Sequence, residues 1–292
     1  MVGMNPAENL MKSILVHLDA SPRSAERLSI AHRLAQASDA SLTALYAVLP
    51  MLLSTPWATV DGMASAMPML EEVDREQRAS ARAIFEREAE GGDIAWAEAG
   101  IDGLQATLLD QALYADLLVL GQTDPRDTRA GALPPDMVPT LITDSGKPAL
   151  VVPYAGHFAG GFAGSLDVAD GVVLVAWKPT RESARAVSAA LPWLRRAAQV
   201  HLAGPSEPDD QGRMPVARLQ AWLRDQGVTA PVQVHCIGRD SVGDELLSLA
   251  SDVGADLLAM GCYGHSRARE FVLGGVSQTV LRSMTLPVLM AH

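Results

Sequence analysis

Glycine spacing in one loop near the end of this 292-residue sequence is the feature that points most directly to chemistry. The segment 261–277 reads GCYGHSRAREFVLGGVS, with glycines at 261, 264, 274 and 275. Glycine lets the backbone adopt positive φ and approach a ligand closely. Successive loop amides, and the amides at a helix start, favour an anion such as phosphate. A loop of this composition that leads into a helix near Val276 therefore predicts phosphate binding by main-chain nitrogens.

Catalytic signatures are missing from the sequence. It contains neither a GxxxxGK[ST] phosphate loop nor a GxSxG nucleophile elbow, and no His or acidic residues lie at clear metal-ligand spacing. Cys262 lies beside the glycine loop, but nothing marks it as a nucleophile. We therefore assign no catalytic residue and no metal ligand, and a binding protein is favoured over an enzyme.

The chain contains one pattern twice. The sequence ADLL occurs at 115–118 and again at 255–258, and each copy leads to a glycine, Gly121 or Gly261. A proline and a short apolar run follow that glycine after 27 residues in the first copy and 26 in the second. This repeat predicts two domains of the same fold.

Each half alternates short apolar strands with amphipathic helices, which predicts right-handed crossovers and a parallel sheet. Strands of the second half are expected at 172–176, 200–203, 232–237, 256–260 and 288–290. Helices are expected at 181–198 with an interruption at Pro192, at 214–226, after a Ser241-x-x-Asp244 capping box, and around Val276, Val280 and Met284. The predicted fold class is α/β, with two tandem Rossmann-like domains, each a five-stranded parallel sheet with helices on both faces.

Composition shifts give the expected boundaries. Residues 1–153 form the first predicted domain and 171–292 the second, joined by a glycine-rich linker at 154–170. The first domain carries a Met- and Pro-rich insertion at about 50–70. This insertion could form a lid or a partner surface, or could simply cover a groove with adaptable packing.

Charge and composition exclude several classes of protein. The net charge is −11 and the pI is about 5.0, so we expect no nucleic acid partner and no membrane-surface binding. Two cysteines cannot build a disulfide framework. The sequence has neither a long apolar run nor a signal-peptide pattern at its start, so a soluble, cytoplasmic protein is expected.

On the residues of the glycine loop and the repeat, the sequence resembles the universal stress protein family in a tandem form. The nucleotide motif of that family is G-x-x-G, nine residues, then Gly followed by Ser or Thr. Gly261, Gly264 and Gly274 stand in register with this motif. Gly275 departs from it, because it removes a hydroxyl aimed at phosphate, and Ser277 could substitute.

The resemblance implies that the second domain binds ATP or a related adenine nucleotide, AMP or ADP, and Mg²⁺ could accompany ATP. It places ribose near Gly261 and phosphates near Gly264 and the 274–277 segment. The implied site comprises Ala176, Trp177, Lys178, Gly261, Gly264, His265, Gly274, Gly275, Val276 and Ser277. Lys178 stands where nucleotide-binding members carry an aspartate, and it could offset phosphate charge. Trp177 could stack on adenine or could pack in the core or an interface.

The first half shows the opposite pattern. Asp19 occupies the family's acidic position, but the later loop reads Gly121-Gln122-Thr123-Asp124-Pro125, with acid where the second glycine belongs. An aspartate repels phosphate and prolines remove amide donors. We therefore predict that this half does not bind nucleotide, and that each chain has at most one site.

The resemblance implies a stress-response protein with a regulatory or signalling role, in which bound nucleotide changes conformation or partner choice. Two alternatives stay open: a nucleotide-free interaction and dimerisation module of the same fold, and a weak ATP hydrolase. In the family the last strands, here 149–152 and 288–290, commonly pair, so an intrachain pseudo-dimer of the two domains is implied. A homodimer of chains could form in addition.

Overall fold

The computed structural model describes residues 11–49, 60–90, 92–99, 104–124, 134, 136–155, 171–205, 215–238, 240–262 and 275–292, the side chains of 60–66 excepted. The backbone divides into two compact units, one at 11–145 and one that contains 146–292. Both are α/β units of the Rossmann-like type predicted from the sequence.

The unit at 11–145 contains four parallel strands in the order β3-β2-β1-β4. These strands are β1 (Ser13–Leu18), β2 (Ser41–Tyr46), β3 (Ile94–Glu98) and β4 (Leu117–Gly121). The described helices are α1 (Arg23–Ser38), α2 (Val60–Glu88), α3 (Leu104–Leu113) and α4 (Met137–Ser145). Val16 and Leu18 of β1 and Leu28 of α1 are fully buried, so the core lies between the sheet and its helices.

Part of the predicted Met- and Pro-rich insertion is helical. Helix α2 begins at Val60 and contains Pro68 in its interior, while residues 50–59 lie outside the described part of the chain. Further along, Phe85 of α2 packs edge-on against Trp96 of β3, with ring centroids 5.0 Å apart. Met69 is 73% exposed, so this stretch of α2 presents apolar surface to solvent.

The unit containing 146–292 has strand order β5-β10-β9-β6-β7-β8. The strands are β5 (Ala149–Val152), β6 (Val172–Ala176), β7 (Gln199–Pro205), β8 (Val232–Ile237), β9 (Leu257–Gly261) and β10 (Val288–Ala291). The helices are α5 (Arg181–Leu194), α6 (Pro215–Asp225), α7 (Val242–Asp252) and α8 (Gly275–Ser283). The five strands predicted for the second half, β6 to β10, form one parallel sheet, which confirms the expected fold.

Strand β5 is antiparallel to β10 in this unit, with Leu150 opposite Leu289. The predicted domain boundaries place β5 at the end of the first domain, yet it pairs here with the last strand of the chain. The expected contact between these two strands is therefore present. The pseudo-dimer of whole domains, and the linker at 154–170, of which 156–170 lie outside the described residues, stay predictions.

Helix α5 ends four residues earlier than the sequence predicts. Pro192 lies inside its last turn, and the helix stops at Leu194 rather than at 198. The chain then turns back, and the Ala198 amide donates to the carbonyl oxygen of Gly171. Strand β7 therefore begins at Gln199, one residue before the predicted start at 200. Pro192 cannot donate to the carbonyl oxygen of Ser188 and its ring crowds that carbonyl, which explains why the helix ends soon after it.

The predicted capping box at Ser241 is wrong. Ser241 adopts the left-handed conformation, with φ 55°, and its side chain makes no capping hydrogen bond. Instead the Glu245 carboxylate accepts from the Gly238 amide at 2.9 Å, so the acid that reaches back is Glu245 and not Asp244. A capping serine needs extended backbone, and the left-handed turn removes that geometry.

Candidate functional site

The carboxyl ends of β6 and β9 meet at the point where strand order reverses. β6 is bonded to β9 on one side and to β7 on the other, and Ala176 is in register with Met260. Ligands of open α/β sheets bind at such a switch point, beyond the carboxyl ends of the strands. The structure thus brings together four predicted site residues at one edge: Ala176, Trp177, Lys178 and Gly261.

Gly261 is required there by backbone packing. A Cβ built on Gly261 would lie 2.6 Å from the carbonyl carbon of Glu182 and 2.8 Å from the Cα of Ser183, closer than real Cβ contacts allow. The first turn of α5 therefore abuts the end of β9. Tight approach of a helix start to a strand end is by itself sufficient reason for glycine at this position.

The start of α5 already carries a negative charge. Thr180 caps the helix, its Oγ1 accepting from the Ser183 amide at 3.4 Å, and Glu182 in the first turn is buried. Burial alone would raise the pKa of Glu182, but the hydrogen bond donated by Arg181 Nε at 2.5 Å holds that pKa below its usual value. The ionised carboxylate satisfies the positive end of the α5 dipole, so this helix start repels a phosphate.

Sequence reasoning missed Glu182. Its signal was available, because an acid in the first turn directly after a threonine cap is a common helix-start pattern. Its proximity to the glycine loop follows only from the tertiary contact of α5 with β9.

Cys262 is a buried, protonated thiol. Burial, and then the charge of Glu182, raise the pKa of Cys262 to about 12. Its Sγ lies 3.4 Å from the carbonyl oxygen of Ala291 in β10, a weak hydrogen bond that fits a packing role. A thiol with this pKa carries almost no thiolate at neutral pH, and thiolate is the nucleophilic form.

The start of α8 offers a different environment. The helix begins at Gly275, which is exposed, and a Cβ built on it meets no atom of the described residues within 4 Å. The first-turn amides of a helix have no partner within it, and α8 follows β9, so its start lies on the carboxyl side of the sheet. Val276 is half-buried and Ser277 is only 6% exposed.

The middle of the predicted loop cannot be placed with these groups. Gly264, His265 and Gly274 all lie outside the described residues, as does the whole stretch 263–274. Their contribution to the site therefore stays a prediction.

The two residues after β6 face different surroundings. Lys178 is exposed and makes no ion pair with any described residue. The Trp177 amide donates to the carbonyl oxygen of Ala203 at 2.7 Å, and its ring lines a groove between α5 and α6. Trp177 thus lines the groove between α5 and α6, whereas Lys178 lies at the carboxyl edge of the sheet.

In the unit at 11–145, the corresponding crevice between β1 and β4 contains a guanidinium. Arg27 is 3% exposed, and its Nη2 lies 3.2 Å from Asp19 Oδ2 and donates to Ser24 Oγ at 2.8 Å. Its Nε donates to the carbonyl oxygen of His17 at 2.8 Å. A Cβ on Gly121, at the end of β4, would overlap the Arg27 Nη1.

This cluster shifts two pKa values. Burial would raise the pKa of Asp19, but the charge of Arg27 and hydrogen bonds from Ser21 and Ser24 hold it well below its usual range. Burial, and then the Arg27 charge, lower the pKa of His17 to about 4. Its Nε2 lies 2.7 Å from the carbonyl oxygen of Ala47, which can only accept, so that nitrogen carries the proton.

Arg27 was also missed from the sequence, although a cation on an apolar helical stripe with Leu28 and Ala31 is a readable signal. The buried Arg27 side chain is a stronger obstacle to a ligand than the acid and proline of the first loop that the sequence predicted. Of the two obstructing residues predicted in the first loop, Asp124 is described and Pro125 lies outside the described residues.

Within the described part of the chain, no three His, Cys, Asp or Glu side chains group as metal ligands. Near Gly261, the buried carboxylate of Glu182 accepts a hydrogen bond from Arg181 Nε. No helix among the same residues has both the length and the apolar character needed to cross a membrane.

Comparisons with known proteins were made for sequence and for structure. The model of the universal stress protein family matches residues 171–292, and no curated protein matches the sequence. A universal stress protein from Archaeoglobus fulgidus DSM 4304 is 14% identical, with a TM-score of 0.62 over 96% of this chain and 95% of that one. A functionally unknown protein from Pseudomonas aeruginosa PAO1 is 15% identical, with a TM-score of 0.56 over 98% and 94%. A universal stress protein in complex with cAMP is 27% identical over 42% of this chain and 96% of its own, with a TM-score of 0.33.

Proposed function

Because residues 171–292 match the model of the universal stress protein family, we propose that this domain binds an adenine nucleotide, ATP or a related one, at the carboxyl edge of β6 and β9. The bound nucleotide acts as a regulatory ligand in a stress response and alters conformation or partner choice. The glycine motif supplies the phosphate cradle, with ribose beside Gly261 and phosphates at the start of α8.

The open start of α8 is the observation that carries this proposal. Helix α5 begins after β6 and helix α8 begins after β9. The ionised carboxylate of Glu182 already offsets the positive end of the α5 dipole. Among the residues that the structure describes, no atom lies within 4 Å of a Cβ built on Gly275, so these residues leave the first-turn amides of α8 open to an anion. Phosphate is therefore expected at α8 rather than at α5.

Lys178 supports the same location. It extends from the end of β6, is exposed, and has no ion-pair partner among the described residues. A lysine ammonium is a point charge that contributes to phosphate binding without fixing its orientation. The aspartate that adenosine meets in nucleotide-binding members is replaced here, so the phosphates contribute most of the affinity.

Substitution of Gly275 separates ligand binding from folding. Gly275→Asp places a carboxylate at the start of α8, where it favours the helix dipole, so the protein stays folded. The same carboxylate repels phosphate, and we expect ATP affinity to fall at least about tenfold, the size of one lost charge-assisted hydrogen bond. Gly275→Ala adds a methyl group into open space and is the matched control, with affinity retained.

The measurement is calorimetric titration of the full chain with ATP, ADP, AMP and cAMP, together with mass spectrometry of any nucleotide released from the purified protein. Gly275→Ser restores the hydroxyl of the family motif and should tighten ATP binding by about threefold to tenfold. Equal affinity of the Asp and Ala variants would contradict phosphate binding at α8.

A nucleotide-free interaction module is the second candidate. The packing requirement at Gly261 favours it, because one glycine of the motif is explained without a ligand. It predicts that purified protein releases no nucleotide and that no heat of binding is seen with any of the four probes. A weak hydrolase would instead release phosphate at a rate abolished by Gly275→Asp.

A further inference from the structure

A groove runs between α5 and α6. Its volume is about 570 Å³, which is within the range of small-molecule sites. Its lining residues come from the turn after β6 and from the two helices: Trp177, Pro179, Thr180, Arg181, Ala184, Val187, Ser188, Pro215, Arg218, Leu219 and Trp222.

The groove exists because the two helices rest on different strands. α5 contacts β9, β10 and β6, whereas α6 contacts β7. In the unit at 11–145 the helices α1 and α2 contact each other directly. At Gly204, the absence of a Cβ lets Val216 of α6 and the backbone of Trp177 come close to β7. The position of α5 toward β9 and β10 thus opens a space above β6 and β7.

The walls of the groove are aromatic and aliphatic. Trp177 and Trp222 are half-buried, while Val187 and Leu219 are buried. The Trp177 Nε1 is buried and has no hydrogen-bond partner among the described residues. Indole rings bind planar apolar groups well.

The charge of the described lining residues is positive. None of these eleven residues is acidic, and Arg181 is neutralised by Glu182 at 2.5 Å. Arg218 on α6 is exposed and makes no ion pair with any described residue. A guanidinium in this setting matches a carboxylate, sulfonate or phosphate group through two parallel hydrogen bonds.

We propose that this groove is a second ligand site, which takes a small planar aromatic anion with its ring against Trp177 and Trp222 and its acidic group on Arg218. The site goes beyond the proposed nucleotide site: of the described residues predicted for that site, the lining of the groove includes Trp177 alone. Gly261, Lys178 and the start of α8 take no part in its lining.

The probe for this site is 1-anilinonaphthalene-8-sulfonate, an aromatic anion with a planar naphthalene ring, titrated into the folded full-length protein and followed by its fluorescence. N-phenyl-1-naphthylamine has the same rings without the sulfonate and is the neutral control. We expect the sulfonate to bind at least about tenfold more tightly, since a charge-assisted hydrogen bond contributes on that scale. Equal affinity of the two dyes, or no binding of the sulfonate at millimolar dye, overturns the proposal.

Two substitutions locate the dye. Ser188→Trp fills the groove from an exposed position on α5 and should abolish binding of both dyes, with circular dichroism and the melting temperature as the check on folding. Arg218→Gln should weaken only the sulfonate, by about tenfold. Arg224→Gln is the matched control, because Arg224 is exposed on the same helix but does not line the groove. Full binding to folded Ser188→Trp, or equal effects at 218 and 224, would show that the dye lies elsewhere.

Competition with nucleotide separates this site from the proposed one. Saturating ATP should leave the dye in place, and Gly275→Asp should leave dye affinity unchanged. Displacement of the dye by ATP would mean that the groove is part of the nucleotide site, which overturns the claim of a second ligand. Loss of ATP binding alone would overturn the proposed function and leave the groove proposal intact.

Discussion

The guanidinium of Arg27 donates to the main-chain oxygen of His17 and to the Ser24 hydroxyl while it pairs with Asp19. Removing one partner of a buried ion pair of this kind strongly destabilises the folded state, because the other charge stays buried without a counter-charge. In the unit at 11–145, an internal ion pair therefore occupies the space beside the carboxyl ends of β1 and β4. In the repeat, Ala186 of α5 corresponds to Arg27, so the second unit keeps that volume apolar.

Removal of Arg27 tests this residue-scale account. Arg27→Met should lower the free energy of unfolding of the 11–145 unit by about 3–5 kcal/mol, because Asp19 loses its counter-charge. Asp19→Asn in the Arg27→Met background should recover part of the loss, since coupled residues do not act additively. Urea unfolding, followed by pulsed hydrogen exchange of peptides from 11–49, supplies the measurement.

The partly exposed pair of Arg23 and Glu26 is the control for that series, with side chains 36% and 24% exposed. Arg23→Met should cost no more than about 1 kcal/mol, the usual range for surface ion pairs. A loss at Arg27 no larger than the loss at Arg23 would refute the buried role.

Protonation of His17 gives a pH dependence with a defined window. The folded-state pKa of His17 is about 4, below the unfolded value of 6.5, so only the unfolded chain gains a proton as pH falls between these values. Stability of the 11–145 unit should fall by about 3 kcal/mol from pH 6.5 to pH 4. Below about pH 4, protonation of Asp19 in the unfolded chain destabilises this unit further, because the folded-state pKa of Asp19 is held low.

The control for this pH dependence is His17→Gln, in which the amide can still donate to the Ala47 carbonyl oxygen. This variant should flatten the slope between pH 6.5 and pH 4, measured by the same pulsed exchange. An unchanged slope would assign the acid sensitivity to other groups of that unit.

At the residue scale, the sequence predicted which side chains meet at the carboxyl edge but not what they do. Ala176, Lys178 and Gly261 lie together as expected, because parallel pairing of β6 with β9 fixes their neighbourhood. The packing role of Gly261 and the charge of Glu182 depend on how closely α5 approaches β9. A tertiary distance of this kind leaves no spacing pattern in the sequence.

Helix ends in this protein differ in how they are satisfied. α5 is capped by the Thr180 side chain, whereas α7 follows a left-handed Ser241 whose side chain caps nothing. The two hydroxyl residues that precede these helices therefore contribute differently to the free energy of unfolding. The sequence cannot separate them, because the backbone conformation before the helix decides whether the hydroxyl can reach an amide.

Alanine substitution at the two caps provides the element-scale prediction. Thr180→Ala should lower the free energy of unfolding by about 1 kcal/mol, since the hydroxyl oxygen accepts from the Ser183 amide. Ser241→Ala should change it by less than about 0.5 kcal/mol, because no capping bond is lost and the left-handed strain stays the same. Thermal and urea melts of the full chain report both, and equal losses would restore the capping box.

Element order was predictable because apolar periodicity and the internal repeat agree. The five strands of the second half were predicted to within two residues at each end, with β8 at 232–237 as expected. The groove between α5 and α6 was not foreseen, because periodicity tells which face of a helix is apolar but not which strands the helix rests on.

For the whole molecule, the difference between the two units predicts one nucleotide per chain. Arg27 fills the crevice of the 11–145 unit, while in the other unit no described atom lies within 4 Å of a Cβ built on Gly275 at the start of α8. Native mass spectrometry with ATP should show a single bound nucleotide, and Gly275→Asp should lower its occupancy in line with a loss of affinity of about tenfold or more. A second equivalent of nucleotide would place a site in the first unit.

The antiparallel bond between β5 and β10 has a practical consequence for dissecting the chain. Residues 149–152 cover the outer margin of the last strand, with Val151 opposite Val288. A recombinant fragment that starts at residue 171 would uncover a row of main-chain donors and acceptors on an apolar strand, which is a template for aggregation. Fragments intended for crystallisation or NMR should therefore start upstream of Gly146, so that they retain strand β5.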